Sequence, residues 1–328
     1  MSLFALAGSL EQGLAFGIMA LGVYLTFRVL DFPDLTVDGS FPLGGAIAAT
    51  MIFSGYNPVL ATLVALLAGF IAGGVTGLLN TKLKISGLLA GILTMTALYS
   101  VNLRIMGRPN IPLLRRDTLI TMLEHAGLPR AFVALIAFLA LTIILKLLLD
   151  WFLSTEIGLA LRATGDNEAM IRSLGVDTDA MKLLGLCLSN GLVALSGALI
   201  AQYQGFADVG MGVGMIVTGL ASVIIGTVLL APRSIGAATL GAILGSVVYR
   251  FAVFFALRAG FAPTDLKIVT AGLVVVALAA PTLRSRANTR VAVRSLLNGG
   301  GSGNGNAGNQ GTVQGIQSGH QERQGCPE

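Results

Sequence analysis

Apolar residues along this chain come in long runs separated by short polar stretches. A run of about 17–25 apolar residues is the length that carries an α-helix across a bilayer. On that measure roughly nine spans are read, at 10–30, 41–54, 58–79, 88–106, 132–152, 183–201, 213–230, 235–257 and 268–283. The second is too short to cross as a straight helix. It must borrow from the polar stretch before it, 31–40, or re-enter. The pattern therefore predicts an all-α polytopic membrane protein of roughly nine transmembrane helices with a broken early span.

Composition agrees with the pattern. Of the 328 residues, 54% are hydrophobic and 11% charged, where a soluble domain carries about 25% charged residues. The 43 glycines suit helices that pack closely in lipid. The N-terminus has no Lys or Arg before the first apolar run and no small-residue cleavage pattern after it, so that run reads as a retained span. Residues 1–283 form a transmembrane domain, and 284–298 a basic juxtamembrane segment holding Arg284, Arg286, Arg290 and Arg294. Residues 299–328 are Gly, Asn, Gln and Ser with almost no apolar side chains, a composition that cannot bury enough surface to fold and predicts a disordered tail. The net charge of +5 is accounted for by Arg and Lys in cytoplasmic loops, and implies no nucleic-acid partner.

One polar interruption, 154–182, lies between two spans and mixes acidic and basic residues. A first helix is predicted over 156–164, stopping at Gly165 in the left-handed conformation that ends helices. Asp166 or Asn167 then caps a second helix over 168–174, which stops at Gly175. A helix–Gly–helix element of this kind offers a compact surface to a cytosolic partner.

The residues of this stretch also carry a resemblance. The run Gly158…Leu161-Arg162-Ala163-x-Gly165-x-Asn167-Glu168-Ala169…Gly175-Val176 resembles the coupling loop of ABC importer permeases of the ribose and branched-chain amino-acid type. Where that family carries a second Ala, this chain has Met170. The resemblance implies that Glu156, Arg162, Gly165, Asn167, Glu168, Ala169, Arg172 and Gly175 contact a cytoplasmic ATPase subunit. It further implies a second permease copy as a homodimer, an extracytoplasmic substrate-binding protein, an inner-membrane location and alternating access driven by ATP. The run 100–113, with Asn102, Arg104, Asn110 and Pro112, resembles a signature of a branch of the family that includes suspected aromatic amino-acid importers. An amino acid or similar small polar solute is the expected cargo.

Two stretches could line a translocation path. Asp31-Phe-Pro-Asp34-Leu-Thr-Val-Asp38-Gly-Ser40-Phe-Pro42 sets carboxylates, prolines and a glycine between apolar segments. Pro and Gly free backbone groups, which in a membrane need protein or water around them. Asp34, Asp38 and Ser40 either line the path or form a cytoplasm-facing turn in which Asp38 or Ser40 starts the next helix. Asn102 and Arg104 are polar residues at the end of a span; Arg104 either snorkels to the interface or holds a carboxylate or a partner. Ser189, Asn190 and the run 202–204 either bond a solute or join helices. Arg250, at membrane depth beside Tyr249, needs an interior carboxylate or carbonyl.

With 154–182 cytoplasmic, an odd number of spans puts the N-terminus outside and the C-terminus in the cytoplasm. Lys82, Lys84, Arg233 and the C-terminal arginines then fall inside, in keeping with the positive-inside rule. The loop 106–131, with Arg108, Arg115, Arg116 and Arg130, falls outside against that rule. Phe32-Pro-Asp34 and Phe206-Ala-Asp208 each follow a span, with Gly45 and Gly219 at the same offset. This suggests an inverted repeat, a transporter signature. There is no phosphate-binding loop and no clustered catalytic or metal-ligating set in the sequence, so ATP hydrolysis is expected in another chain and no cofactor is expected here. The alternative, a secondary transporter driven by an ion gradient, should hold acidic or His residues deep in its spans; here Glu11 is the nearest example.

Overall fold

The computed structural model describes residues 3–114, 116–125, 132–232 and 234–260, with 268, 271, 272 and 275 standing alone. The chain divides into two units, Met1–Pro281 and Thr282–Glu328, and the second lies outside the described residues. So do most of the predicted span at 268–283, the basic segment, the tail, and Arg115, Arg130 and Arg233.

The first unit is an α-helical membrane domain. Its helices are α1 (Leu3–Tyr24), which runs on through a π-helical turn (Leu25–Val29), α2 (Val37–Phe53), α3 (Pro58–Thr81) and α4 (Gly87–Met106). A short strand β1 (Asn110–Pro112) and α5 (Leu119–His125) precede α6 (Val133–Ser154). Two short helices follow, α7 (Glu156–Asp166) and α8 (Glu168–Ser173), then the long α9 (Thr178–Gln204). Strand β2 (Phe206–Asp208) and a 3₁₀ turn (Val209–Gly212) lead to α10 (Met215–Leu230) and α11 (Ile235–Arg258).

Among the described residues seven helices are long and apolar enough to cross a membrane, and α2 is shorter. At 17 residues and about 1.5 Å per residue, α2 falls short of a bilayer core of about 30 Å. The non-helical segment 31–36, with Asp31 at φ 52° and a turn at Leu35 and Thr36, leads into α2.

Two spans form the centre. The windows of α1 and α9 are 83% and 78% buried, against 22% for α6. α9 packs against α3 and α2, and α1 against α11 and α9. Small residues make this possible: a Cβ placed on Gly44 of α2 would stand 1.8 Å from the Ala194 carbonyl oxygen of α9, so only glycine lets these backbones meet. α6 lies at the rim, with Leu147, Leu148 and Trp151 exposed.

The two ends of α9 define the two ends of the domain. At one end lie α7 and α8. At the other β1 pairs antiparallel with β2, Ile111 opposite Ala207, both buried. There Arg108 and Arg116 stand over the Phe53 ring at 5.0 and 5.2 Å. The basic loop 106–131 is thus a structured cap where it is described.

Candidate functional site

The α7–α8 hairpin is built by local capping. The Thr155 hydroxyl accepts from the Gly158 N–H and starts α7. The Asn167 side chain accepts from the Met170 N–H at 3.0 Å and starts α8, and Gly175, at φ +88°, ends that turn. Leu161 and Ile171 are buried and anchor the pair to the bundle.

Gly165 corrects a sequence expectation. It lies inside α7, which continues to Asp166, and it has ordinary helical backbone. Its role is close approach: a Cβ there would stand 2.0 Å from the Val29 carbonyl oxygen. The hairpin therefore rests directly on the π turn that ends α1. A chain end and a tight contact both ask for glycine, so the residue type alone does not separate them.

Charge clamps the hairpin to α9. The Lys182 ammonium donates to Glu168 at 2.6 Å and Arg172 donates at 3.0 Å. Arg172 also donates to the Thr178 hydroxyl at 2.7 Å and to Asp179 at 3.4 Å. Lys84, from the α3–α4 turn, reaches Asp179 at 3.1 Å. The hydrogen bond from Lys182, and after it the charges of Lys182 and Arg172, hold the Glu168 carboxyl below the usual glutamate range. The outward side of the hairpin is apolar and uncovered: Ile157, Leu159, Met170 and Leu174 are 50–68% exposed. Glu156, Asn167, Ala169, Arg172 and Gly175 are exposed among them, while Arg162 is half-buried. The eight sequence-predicted coupling residues thus fall on or just after the two helices, with Gly165 turned inward against Val29 and Arg162 half-buried.

The second group lies inside the bundle. Asn190 sits near the middle of α9. It donates to the Asp34 carboxylate at 2.7 Å and accepts from the Ser40 hydroxyl at 2.7 Å. The other Asp34 oxygen accepts from the Thr36 N–H at 2.9 Å, and the Thr36 and Thr76 hydroxyls share a bond of 2.8 Å. Asp34, Thr36, Ser40, Thr76 and Asn190 are buried. This chain of bonds ties 34–40 to α9 and α3 at the depth where α2 begins.

Asp38 starts a different helix from the one expected. α2 begins at Val37, and the Asp38 carboxylate accepts from the Gly214 and Ile216 N–H groups at 3.0 and 2.7 Å. It caps α10, so the starts of α2 and α10 meet inside the domain. A Cβ on Gly212 would stand 2.0 Å from the Asp38 carbonyl oxygen, which shows how close this meeting is. Asn102 is buried and donates to the Gly39 carbonyl at 3.2 Å, with its own oxygen meeting no donor among the described residues. Arg104 is exposed and does not join the group. Ser189 donates to the Gly22 carbonyl, Gln202 to the Thr62 hydroxyl and Tyr203 to Glu11; all three join helices.

Sequence reasoning did not single out Thr36, Thr76, Phe16 or Gly212. No spacing signal marks them, because their partners lie far along the chain. Among the described residues no group of three or more His, Cys, Asp and Glu could hold a metal ion.

Comparison with known proteins places the chain in a family. Residues 5–279 match the family model described as the permease component of branched-chain amino acid transport systems. The chain is 47% identical over 274 residues to a protein named tyrosine transport system permease protein in Clostridioides difficile (strain R20291), covering 84% of this chain and 90% of that one. It is 38% identical over 265 residues to an uncharacterized protein of Rickettsia prowazekii (strain Madrid E), covering 80% and 92%. It is 28% identical over 230 residues to the autoinducer 2 import system permease protein LsrC of Salmonella typhi, covering 70% and 64%.

Proposed function

The chain belongs to the family of permease components of branched-chain amino acid transport systems, and on that premise we propose how this permease subunit of an ATP-driven importer works and what it carries. It moves a small polar solute, an amino acid, through a path assembled from two copies of the chain in the inner membrane. A relative named for tyrosine transport, nearly half identical along most of its length, supports an aromatic amino acid as cargo.

The ATPase is a separate chain that grips the α7–α8 hairpin. The observation that carries this reading is the hairpin itself: a clamped element with exposed Ile157, Leu159, Met170 and Leu174, seated through Gly165 on the end of α1. Force on the hairpin reaches the π turn first. It then passes along 31–36 to the Asp34–Asn190–Ser40 bonds, where α2 and α10 begin. The substrate-binding protein docks at the opposite end, on the β1–β2 side, and the C-terminus lies in the cytoplasm.

The domain is an inverted repeat of nine spans, with 268–283 as the last and 31–53 as the broken one. Three features support it. Asp34 accepts from the N–H two residues on, and Asp208 does the same with Gly210. α1 packs on α11 as α9 packs on α3. Asp38 and Gly212, separated by the same offset as Asp34 and Asp208, touch each other. Half-helices that start within the membrane are where transporters of this build hold their cargo.

Uptake of labelled aromatic amino acids into vesicles holding the chain with its natively encoded neighbours tests the proposal. The expected result is accumulation that needs ATP and survives collapse of ion gradients. Accumulation that follows the gradient and ignores ATP would sink it in favour of a secondary transporter.

A further inference from the structure

The guanidinium of Arg250 has no hydrogen bond or ion pair among the described residues, and its Nε is buried without a partner. It stands over the Phe16 ring, 3.6 Å from the centroid. Phe16 stacks on Phe41 at 5.7 Å with the rings 13° from parallel. The neighbouring Tyr249 hydroxyl bonds to the Thr218 hydroxyl at 3.3 Å.

These contacts fix the depth of the charge. Phe41 belongs to the first turns of α2, and Thr218 to the first turn of α10. Arg250 therefore sits beside the place where the two half-helices begin, well inside the span Ile235–Arg258. The sequence asked for a carboxylate or carbonyl at this charge. Among the described residues it meets an aromatic face instead, and the guanidinium's planar fork of N–H donors finds no acceptor there. A charged side chain at membrane depth is costly to keep, and those that persist pair with something or mark a path. A ring face offsets part of that cost, but it does not use the fork, whose geometry matches a carboxylate.

We infer that Arg250, held over the Phe16 ring that itself stacks on Phe41, is a specificity-determining residue of the translocation path that takes the carboxylate of an amino-acid cargo as it crosses. This rests on the amino-acid reading proposed above. A guanidinium backed by stacked rings suits a solute that carries a carboxylate next to an apolar or aromatic body. The fork accepts the anion in bidentate fashion, and the ring behind it holds the fork's plane. Lysine in its place would keep a charge and lose the planar pair of parallel N–H donors.

The test uses the whole importer in vesicles, assembled from this chain and its native neighbours. Arg250→Met and Arg250→Lys are compared with the native chain for amount in the membrane, assembly, ATP hydrolysis and uptake of labelled tyrosine. The expected result is a fall in maximal uptake of about ten- to a hundredfold in Arg250→Met and a smaller fall in Arg250→Lys. The cargo concentration for half-maximal uptake is unchanged, because the binding protein sets it, and ATP hydrolysis continues without matching transport. Native rates of uptake in both variants would overturn the inference and leave the amino-acid reading standing. Loss of uptake and ATP hydrolysis together in both variants of an assembled importer would also overturn it, since Arg250 would then be a structural member. If Arg250→Met does not accumulate in the membrane, Arg250→Lys decides by the same split. A native importer that hydrolyses ATP and carries no amino acid would overturn this inference and the reading beneath it together.

Discussion

The Val29 carbonyl oxygen lies where the Cβ of any residue but glycine at position 165 would stand, 2.0 Å away. A surface helix and the end of a central span are thereby in backbone contact. Motion of one cannot be absorbed by a flexible side chain between them. Gly165→Ala should push α7 off the π turn, at a cost of about 1–3 kcal/mol for overpacking. Expected are normal amounts of the chain in the membrane, faster protease cleavage within 154–177 and a marked loss of uptake. Unchanged cleavage and uptake would mean that this contact transmits nothing.

Asn190 and Asn102 look alike in the sequence, as polar residues in apolar helices, yet they should respond differently to removal. Asn190→Ala strips a donor from Asp34 and an acceptor from Ser40. Each buried polar atom left unsatisfied costs about 1–3 kcal/mol. Asn102→Leu removes one bond of 3.2 Å together with an oxygen that meets no donor among the described residues, and should be close to neutral. Apparent melting temperatures in detergent should fall clearly for the first and little for the second. Equal falls would contradict the bonding described here.

Asp38 caps a helix 176 positions away. Asp38→Ala should leave the Gly214 and Ile216 N–H groups without that acceptor and cost about 1 kcal/mol, the usual effect of losing an N-cap. Asp38→Asn, which keeps one acceptor, should recover part of it. Hydrogen exchange in the first turn of α10 should quicken in that order. No change in Asp38→Ala would show that the cap contributes nothing.

How legible these features are follows from the range of each interaction. Span lengths, the cap Asn167 and the shortness of α2 are local, and the sequence states them through run length and residue type. The hairpin was legible for the same reason. What was not legible depends on partners far along the chain. Nothing near Asp38 points to Gly214, nothing near Gly165 points to Val29, and nothing near Arg250 points to Phe16. Arg104 could be grouped with Asn102 by position, but its side chain is exposed while Asn102 turns inward.

The clamp on the hairpin should depend on pH in one direction. Glu168 titrates below its usual range because the bond from Lys182, with the charges of Lys182 and Arg172, favours the carboxylate. A depressed carboxyl stabilises the folded form above its unfolded pKa, and loses that contribution as pH falls through the lowered folded value. Protease protection of 154–177 should hold from pH 7 to about 5 and fall only below the ordinary glutamate range, about 4.3. Glu168→Gln should weaken protection at pH 7 and flatten the acid limb. An acid limb unchanged in Glu168→Gln would assign it to another group.

The most direct measurement of the central claim is co-purification. The chain is solubilised gently with its native neighbours expressed, and its companions are identified by mass spectrometry, with the native sequence and with 156–175 scrambled. An ATPase should accompany the native chain and be lost with the scrambled one, while the membrane domain stays folded. An ATPase retained by the scrambled chain, or absent from both, would contradict the assignment of α7 and α8 as the coupling surface.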